Sequence, residues 1–291
     1  MEQIFVKARA KINLALNIKH KRPDGYHELE SIMQTLALHD TIQIKKVHKE
    51  DYGIKLRADV PWLPTDERNL AYQAASYLKE AYNIETGIFI SIKKTIPISA
   101  GLGGGSADCA ATLVGIRNLF SLPISDRKLI YLAKRFGADV PFCVMRGTAL
   151  AKGVGEILTP LERVPRMHIV VIRPPITCST KEIFARYNPS IAGKEANISG
   201  VIYHIKRKNV AGMCENMGNM LEGVAIGRHP QIAKIKEFLS NNKAKKAMMS
   251  GSGAAVFGIY TSYTEAKRAV DKFLEQEEFV KVKDVFLTRP F

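Results

Sequence analysis

Apolar residues alternate along positions 10–18, with Ile12, Leu14, Leu16 and Ile18 on one side and Lys11 and Asn13 on the other. A period of two predicts a strand with one buried face. Pro23, Asp24 and Gly25 then mark a turn that leads into Tyr26-His27-Glu28. Runs rich in β-branched and aromatic residues predict further strands at 41–46, 53–56 and 88–92. Between the last two, Leu70, Ala74, Ala75, Leu78 and Ala81 recur at helical spacing, which predicts a helix over 69–82 behind the acidic pair Asp66 and Glu67. A second helix is predicted over 106–120, with Ala110, Leu113 and Val114 on one face and Ser106 or Asp108 available to cap its free N–H groups. A third runs over 125–136 and stops at Gly137.

Gly, Pro and charged residues accumulate over 153–165, just ahead of an apolar strand at 168–172. That break predicts two domains, 1–158 and 159–291, a division that suits a chain of 291 residues. Beyond it the pattern reads as several helices, strands at 247–250 and 255–260, a helix at 265–275 and a last strand near 280–287. Such an order suits a helix-covered antiparallel sheet of α+β type.

Composition narrows the function classes. With 46% hydrophobic and 24% charged residues the chain has apolar material for sizeable cores, which excludes a disordered protein. No apolar run approaches the ~18 residues of a membrane span, and the opening Met1-Glu2-Gln3-Ile4-Phe5-Val6-Lys7 has no signal-type apolar segment. A cytoplasmic protein with no membrane partner is the expectation. Cys109, Cys143, Cys178 and Cys214 show no Cys-x-x-Cys spacing, so reduced, buried thiols are expected in preference to a zinc site or a disulfide framework. The net charge of +15 favours anionic ligands, either a nucleotide or phosphorylated metabolite or a nucleic acid. The basic clusters at 19–22, 206–208 and 243–246 are short and lack interleaved aromatics, so they read as solvated surface and no nucleic acid partner is expected.

The candidate chemistry centres on Pro97-Ile98-Ser99-Ala100-Gly101-Leu102-Gly103-Gly104-Gly105-Ser106-Ala107, a glycine run leading straight into the second predicted helix. Glycine lets the backbone wrap an anion, and the helix start presents unpaired N–H groups at the positive end of its dipole. Phosphate is the ligand this suits, although an isolated glycine run equally makes an ordinary tight turn. No Gly-Lys-Ser/Thr follows it, which excludes a Walker A loop, and Gly101 to Ser106 lacks the closing glycine of a dinucleotide fingerprint. Three segments add weight: Lys11 and Asn13 on one strand face, Asp139 within Gly137-Ala138-Asp139-Val140-Pro141-Phe142-Cys143, and the turn Ser250-Gly251-Ser252-Gly253. Alone, Lys11 reads as an exposed strand lysine and Asp139 as a turn or capping residue.

Together and in this order the segments resemble the GHMP small-molecule kinases. Asp24-Gly25-Tyr26-His27-Glu28 and Gly153-Val154-Gly155-Glu156 narrow the resemblance to the branch whose acceptor is a cytidine diphosphate-linked methylerythritol, and it extends over essentially the whole chain. The resemblance implies an α+β, two-domain GHMP kinase fold, with an N-terminal ribosomal-protein-like β/α domain and a C-terminal ferredoxin-like domain. It implies ATP as donor, Mg²⁺ as accompanying ion, and transfer to a 2-hydroxyl group, with Asp139 as general base and Lys11 assisting it. For the donor it implies residues 97–107, with Lys94 near the phosphates or adenine and Asn69 near the base. For the acceptor it implies Asn13, Tyr26 and Phe184 on opposite faces of the cytosine, and His27 on its edge. Magnesium would lean on phosphate oxygens and water, so no protein metal ligand is expected; the protein is expected to be a monomer or homodimer.

The chain departs from the family pattern in Ser99-Ala100, in Ala254-Ala255 where many members have Pro-Thr, and in Asp108, a negative charge close to a phosphate loop. Three other readings compete, one of them a catalytically idle paralogue with the fold retained, against which the presence of both Lys11 and Asp139 argues. Another GHMP kinase would keep Lys11, the loop and Asp139 but have no use for Tyr26 and His27. A basic RNA-binding protein of related fold would use the charge and leave the loop unexplained.

Overall fold

The computed structural model describes residues 2–47, 53–282 and 284–291. Met1 in the opening segment and Lys283 in the last predicted strand lie outside the described residues. The chain divides into two compact units, one comprising Met1–Ala10, Leu38–Ile98 and Gly103–Arg146, the other Lys11–Ala37, Ser99–Leu102 and Gly147–Phe291. The two longest strands contribute residues to both.

In the first unit lie the opening residues of β1 (Gln3–Lys21), the closing residues of β2 (His27–Val47), β3 (Ile54–Ala58), α1 (Leu70–Ala81), β4 (Gly87–Lys93), α2 (Gly104–Leu119), α3 (Asp126–Ala133) and α4 (Val140–Met145). β4 runs antiparallel to β2, from Thr41 opposite Lys93 to Val47 opposite Gly87, and parallel to β3, from Ile54 opposite Ile88 to Ala58 opposite Ile92. A parallel pair needs a crossover, and α1 supplies it. Asn69 starts that helix, its side-chain oxygen accepting the N–H of Ala71 at 2.9 Å. The acidic pair that suggested the start lies upstream, with Asp66 paired to Arg68.

α2 is apolar on nearly every side because α1, α3 and α4 pack around it and β2 lies beneath it. At Gly115 an added methyl would stand 2.5 Å from Ile44 Cδ1, so glycine is what permits that approach. The helix begins at Gly104, ahead of the expected Ser106, and its cap residue Gly103, at φ 70°, makes no side-chain capping bond. Ser106 and Asp108 lie inside the helix, so neither caps it.

The second unit takes the rest of β1 and β2 and continues through β5 (Thr148–Gly153), β6 (Ile157–Pro160), β7 (His168–Arg173), α5 (Thr180–Ala185), α6 (Ile198–Lys206), α7 (Val210–Asn216), α8 (Glu222–Arg228), α9 (Gln231–Asn241), β8 (Lys246–Met249), β9 (Val256–Tyr260), α10 (Tyr263–Leu274) and β10 (Asp284–Thr288). β5 pairs antiparallel with β2, from Leu29 opposite Gly153 to Gln34 opposite Thr148. A separate antiparallel sheet has the order β10-β7-β9-β8. Ile232, Ile235 and Leu239 of α9 and Ala266, Ala269 and Phe273 of α10 share its core with Val170, Ile172 and Val256. This is the helix-covered antiparallel sheet that the residue pattern predicts.

β1 departs from its expected half-burial. Residues 10–17 are all buried, and the chain after α7 lies along the strand at Leu16. Leu16 donates its N–H to Gly218 O and accepts that of Met220, both at 3.0 Å, while the Asn17 amide exchanges hydrogen bonds with the Ala196 backbone at 2.8 and 2.9 Å. All four cysteines are free and buried. Among the described residues no helix is long and apolar enough to cross a membrane.

Candidate active site

In the second unit, burial of β1 turns Lys11 and Asn13 from surface residues into parts of a fixed chain of hydrogen bonds. Lys11 is only 5% exposed. Its ammonium donates to Asn13 Oδ1 at 2.9 Å, Asn13 Nδ2 donates to Ser31 Oγ at 2.8 Å, and Ser31 Oγ donates to Ala15 O at 2.6 Å. Each link fixes the orientation of the one before, so the ammonium is held in one place at the end of the chain. The glycine run reaches the same strand: Lys11 donates its N–H to Leu102 O at 2.9 Å.

The turn at 250–253 fastens the run from its other side. Ser250 Oγ donates to Gly101 O at 2.9 Å, and the N–H of Ala255 donates to Ala100 O at 3.0 Å. A methyl on Gly251 would lie 3.4 Å from Lys11 Nζ and 3.3 Å from Asn13 Oδ1, so turn, lysine and loop converge. Asn219, fully buried, holds the turn: its Nδ2 donates to Met249 O at 3.0 Å and Gly251 O at 2.8 Å, while its Oδ1 accepts the N–H of Leu221. Ala254 and Ala255 thus sit in a turn closed by backbone bonds, Gly253 N–H to Ser250 O and Ser250 N–H to Ala255 O.

The Asp-Gly-Tyr-His-Glu segment opens β2 in the same unit. Asp24 Oδ1 accepts the N–H of Tyr26, and Glu28 accepts from Arg22 at 3.1 Å and from the N–H of Gly153 at 3.0 Å. Glu28 therefore joins this turn to the Gly153-Val154-Gly155-Glu156 turn, where Glu156 accepts the N–H of Val154. Tyr26 projects outward, 65% exposed. The His27 ring lies 5.6 Å from Phe184 at a tilt of 32° and 6.0 Å from Tyr187 edge-on. Partial burial, helped by Lys21, lowers the His27 pKa, so the imidazole is neutral at pH 7.

In the first unit, Gly103 at φ 70° turns the chain into α2 with no side-chain cap on the opening N–H groups of the helix. A methyl on Gly105 would meet nothing within 4 Å. Lys94 does not project from this region. Its ammonium is 2.5 Å from Asp40 Oδ2 and 2.7 Å from Asp108 Oδ2, and its side chain is 5% exposed. Asn69 spends its amide on helix α1 and on Pro64 O. Asp139 sits at the start of α4 with Val140, Pro141 and Phe142 buried behind it, and makes no capping bond to that helix.

The GHMP kinases N terminal domain pattern matches residues 69–147, and the GHMP kinases C terminal pattern matches residues 202–278. A 4-diphosphocytidyl-2-C-methyl-D-erythritol kinase of Clostridium botulinum (strain Alaska E43 / Type E3) is 43% identical over 284 residues, covering 98% of this chain and 99% of the relative. The chain belongs to the 4-diphosphocytidyl-2-C-methyl-D-erythritol kinases, within the GHMP kinases. A family member from Caldicellulosiruptor saccharolyticus (strain ATCC 43494 / DSM 8903 / Tp8T 6331) is 40% identical over 98% of this chain and 96% of its own. A crystal structure of 4-(cytidine 5'-diphospho)-2C-methyl-D-erythritol kinase superposes with a TM-score of 0.83 at 30% identity, covering 99% of both chains. A homoserine kinase from Cytophaga hutchinsonii ATCC 33406 shares the fold at 19% identity and a TM-score of 0.77, over 99% of this chain and 95% of that one.

Ser31, Asp40, Tyr187 and Asn219 support these family motifs and were not legible in the sequence. Each acts through a partner distant along the chain, and none falls in a glycine-rich or charged pattern. Burial of Asn219 and Asp40, both fully enclosed, is their only signal, and it needs the fold.

Proposed function

We propose that the protein transfers the γ-phosphoryl group of ATP to the 2-hydroxyl of 4-diphosphocytidyl-2-C-methyl-D-erythritol, giving the 2-phosphate and ADP in the non-mevalonate route to isoprenoids. Identities of 43% and 40% over nearly the full length to kinases named for that substrate carry the reading. The rings of Tyr26, His27 and Phe184 support it, since a kinase for a plain alcohol has no need of a stacking site. The family patterns fall on either side of residue 158, which supports functional domains 1–158 and 159–291. We assign a cytoplasmic monomer or homodimer acting on a small molecule, with no nucleic acid or membrane partner.

In this reading Asp139 is the general base. The O–H bond of the acceptor breaks, its proton passes to the Asp139 carboxylate, and the oxygen bonds to the γ-phosphorus as ADP leaves with the electrons of the old bond. Lys11, held by Asn13 and Ser31, supplies fixed positive charge for the transferring group. The uncapped start of α2 and residues 97–107 hold the triphosphate, with the Ser106 hydroxyl offered to phosphate. An accompanying Mg²⁺ would be carried by phosphate oxygens and water. When bound, the ion neutralises triphosphate charge.

Neutral His27 has one N–H and one lone pair for the cytosine edge. Tyr26 and Phe184 supply the stacking faces, worth about 1–3 kcal/mol per base in nucleic-acid binders. Tyr26→Ala is therefore expected to raise the acceptor KM about 5- to 150-fold with little change in kcat. Steady-state kinetics with varied acceptor check this, and an unchanged KM counts against stacking. The proposed activity itself is tested by ADP release with the cytidylated alcohol beside mevalonate, homoserine and uncytidylated methylerythritol phosphate. Turnover of the cytidylated alcohol alone is expected; preference for another alcohol would overturn it.

A further inference from the structure

We infer that Lys94 is a positioning residue for the nucleotide, holding the start of α2 to the end of β4 through Asp40 and Asp108 without itself reaching phosphate. The inference rests on the reading that residues 97–107 bind the triphosphate.

The geometry leaves the ammonium little choice. Asp40 and Asp108 take it at 2.5 and 2.7 Å, with side-chain exposures of 0% and 4%. Asp40 also accepts the N–H groups of Thr95 and Ile96 through Oδ1, at 2.5 and 2.7 Å, which pins the chain as it leaves β4 for the glycine run. The N–H of Lys94 itself is held by Asp59 Oδ1 at 2.9 Å. On the other side, Asp108 belongs to α2, and a methyl on Gly104 would come within 3.4 Å of Lys94 Nζ and 3.3 Å of Ile96 Cγ2. The ammonium therefore lies directly against the first residue of α2, joining it to the strand that precedes the run.

Charge counting explains how two buried acids share one cation beside an anion site. With both carboxylates ionised the cluster would carry a net negative charge against the positive end of α2 and oppose phosphate binding. Asp108 Oδ1 is buried with no hydrogen-bond partner, where a full charge would be costly. Burial first, and then the Asp40 carboxyl, push the Asp108 pKa upward despite Lys94. Burial alone would lower the Lys94 pKa, but the two acids outweigh it and raise it. A proton taken up by Asp108 removes the net negative charge of the cluster. The raised pKa thus reduces the negative charge that Asp108 would otherwise place beside the loop.

The test measures equilibrium binding of a non-hydrolysable ATP analogue to the full chain by calorimetry, together with kcat and the ATP KM. Lys94→Met leaves an uncompensated carboxylate and is expected to weaken nucleotide binding tenfold or more, with kcat within about threefold. Adding Asp40→Asn keeps the acceptor oxygen for Thr95 and Ile96, restores neutrality and lets the new amide donate to Asp108. Binding is expected to return to within about threefold of the wild type. If Lys94 touched phosphate, the double variant would bind as weakly as the single one, and that result overturns the inference. Should Lys94→Met fail to fold, Asp108→Asn decides: as a replacement of a neutral acid by a neutral amide it is expected to leave affinity within about threefold, and a tenfold change in either direction overturns the inference. Absence of nucleotide binding by the wild type would instead overturn the reading of the loop.

Discussion

Asp139→Asn is expected to lower kcat by about 10²- to 10⁴-fold while ATP binding stays close to normal. The tertiary 2-hydroxyl of the proposed acceptor is hindered and scarcely acidic, so its proton must go somewhere as the bond to phosphorus forms. Asparagine keeps the shape of the side chain and cannot accept that proton. The substitution costs α4 no cap, because the Asp139 side chain makes no capping bond to it. Analogue binding and single-turnover rates check the two parts separately; near-normal turnover would remove Asp139 from the base role.

A second large effect is expected from one methyl group. Gly101 has φ +75°, and an alanine Cβ there would stand 2.1 Å from Ser250 O, an atom held in a hydrogen-bonded turn. The left-handed backbone costs about 1–2 kcal/mol for a side-chain-bearing residue, and the forced displacement about 1–3 kcal/mol more. Gly101→Ala is expected to lose about 2–5 kcal/mol of stability and at least ~100-fold in kcat/KM for ATP, since the run must shift by an ångström-scale distance. Gly105→Ala is the control, because its methyl meets nothing within 4 Å and lies in a helix. That variant is expected to be at least as stable as the wild type. Equal melting temperatures for the two variants would contradict this account of the run.

Where one residue pattern had one physical cause, the sequence was readable. Asn69 to Tyr82 makes a helix because its apolar spacing, its cap residue and its crossover role agree. The alternation at 12, 14, 16 and 18 likewise made a strand, but alternation says nothing about a second layer. Lys11 and Asn13 meet Leu102, Ser31 and the turn at Gly251, which no local pattern connects to β1. The same blindness applies to Lys94, which reads as a basic residue beside a phosphate loop until Asp40 and Asp108 are seen to enclose it. The early start of α2 was missed because glycine has low helical propensity, and the helix nonetheless opens on Gly104 and Gly105. The opening of β2 was missed because its sequence mixes charged and apolar residues, and its pairing with β5 depends on the opposite strand.

The fastening of β1 also dictates when the protein can be finished. Asn17 bonds Ala196 across 179 residues, and the N–H of Ile18 reaches Met220 Sδ across 202. At ~5–20 residues per second a ribosome needs about 10–40 s to make that stretch. The strand that carries Lys11 therefore waits for these partners, with Leu16 and Ile18 lacking the Leu221 and Val224 side of their core until those residues are made. A nascent chain stalled before residue 196 holds residues 97–107 but lacks the partners of Leu16, Asn17 and Ile18, and such a chain is a natural client for a holding chaperone.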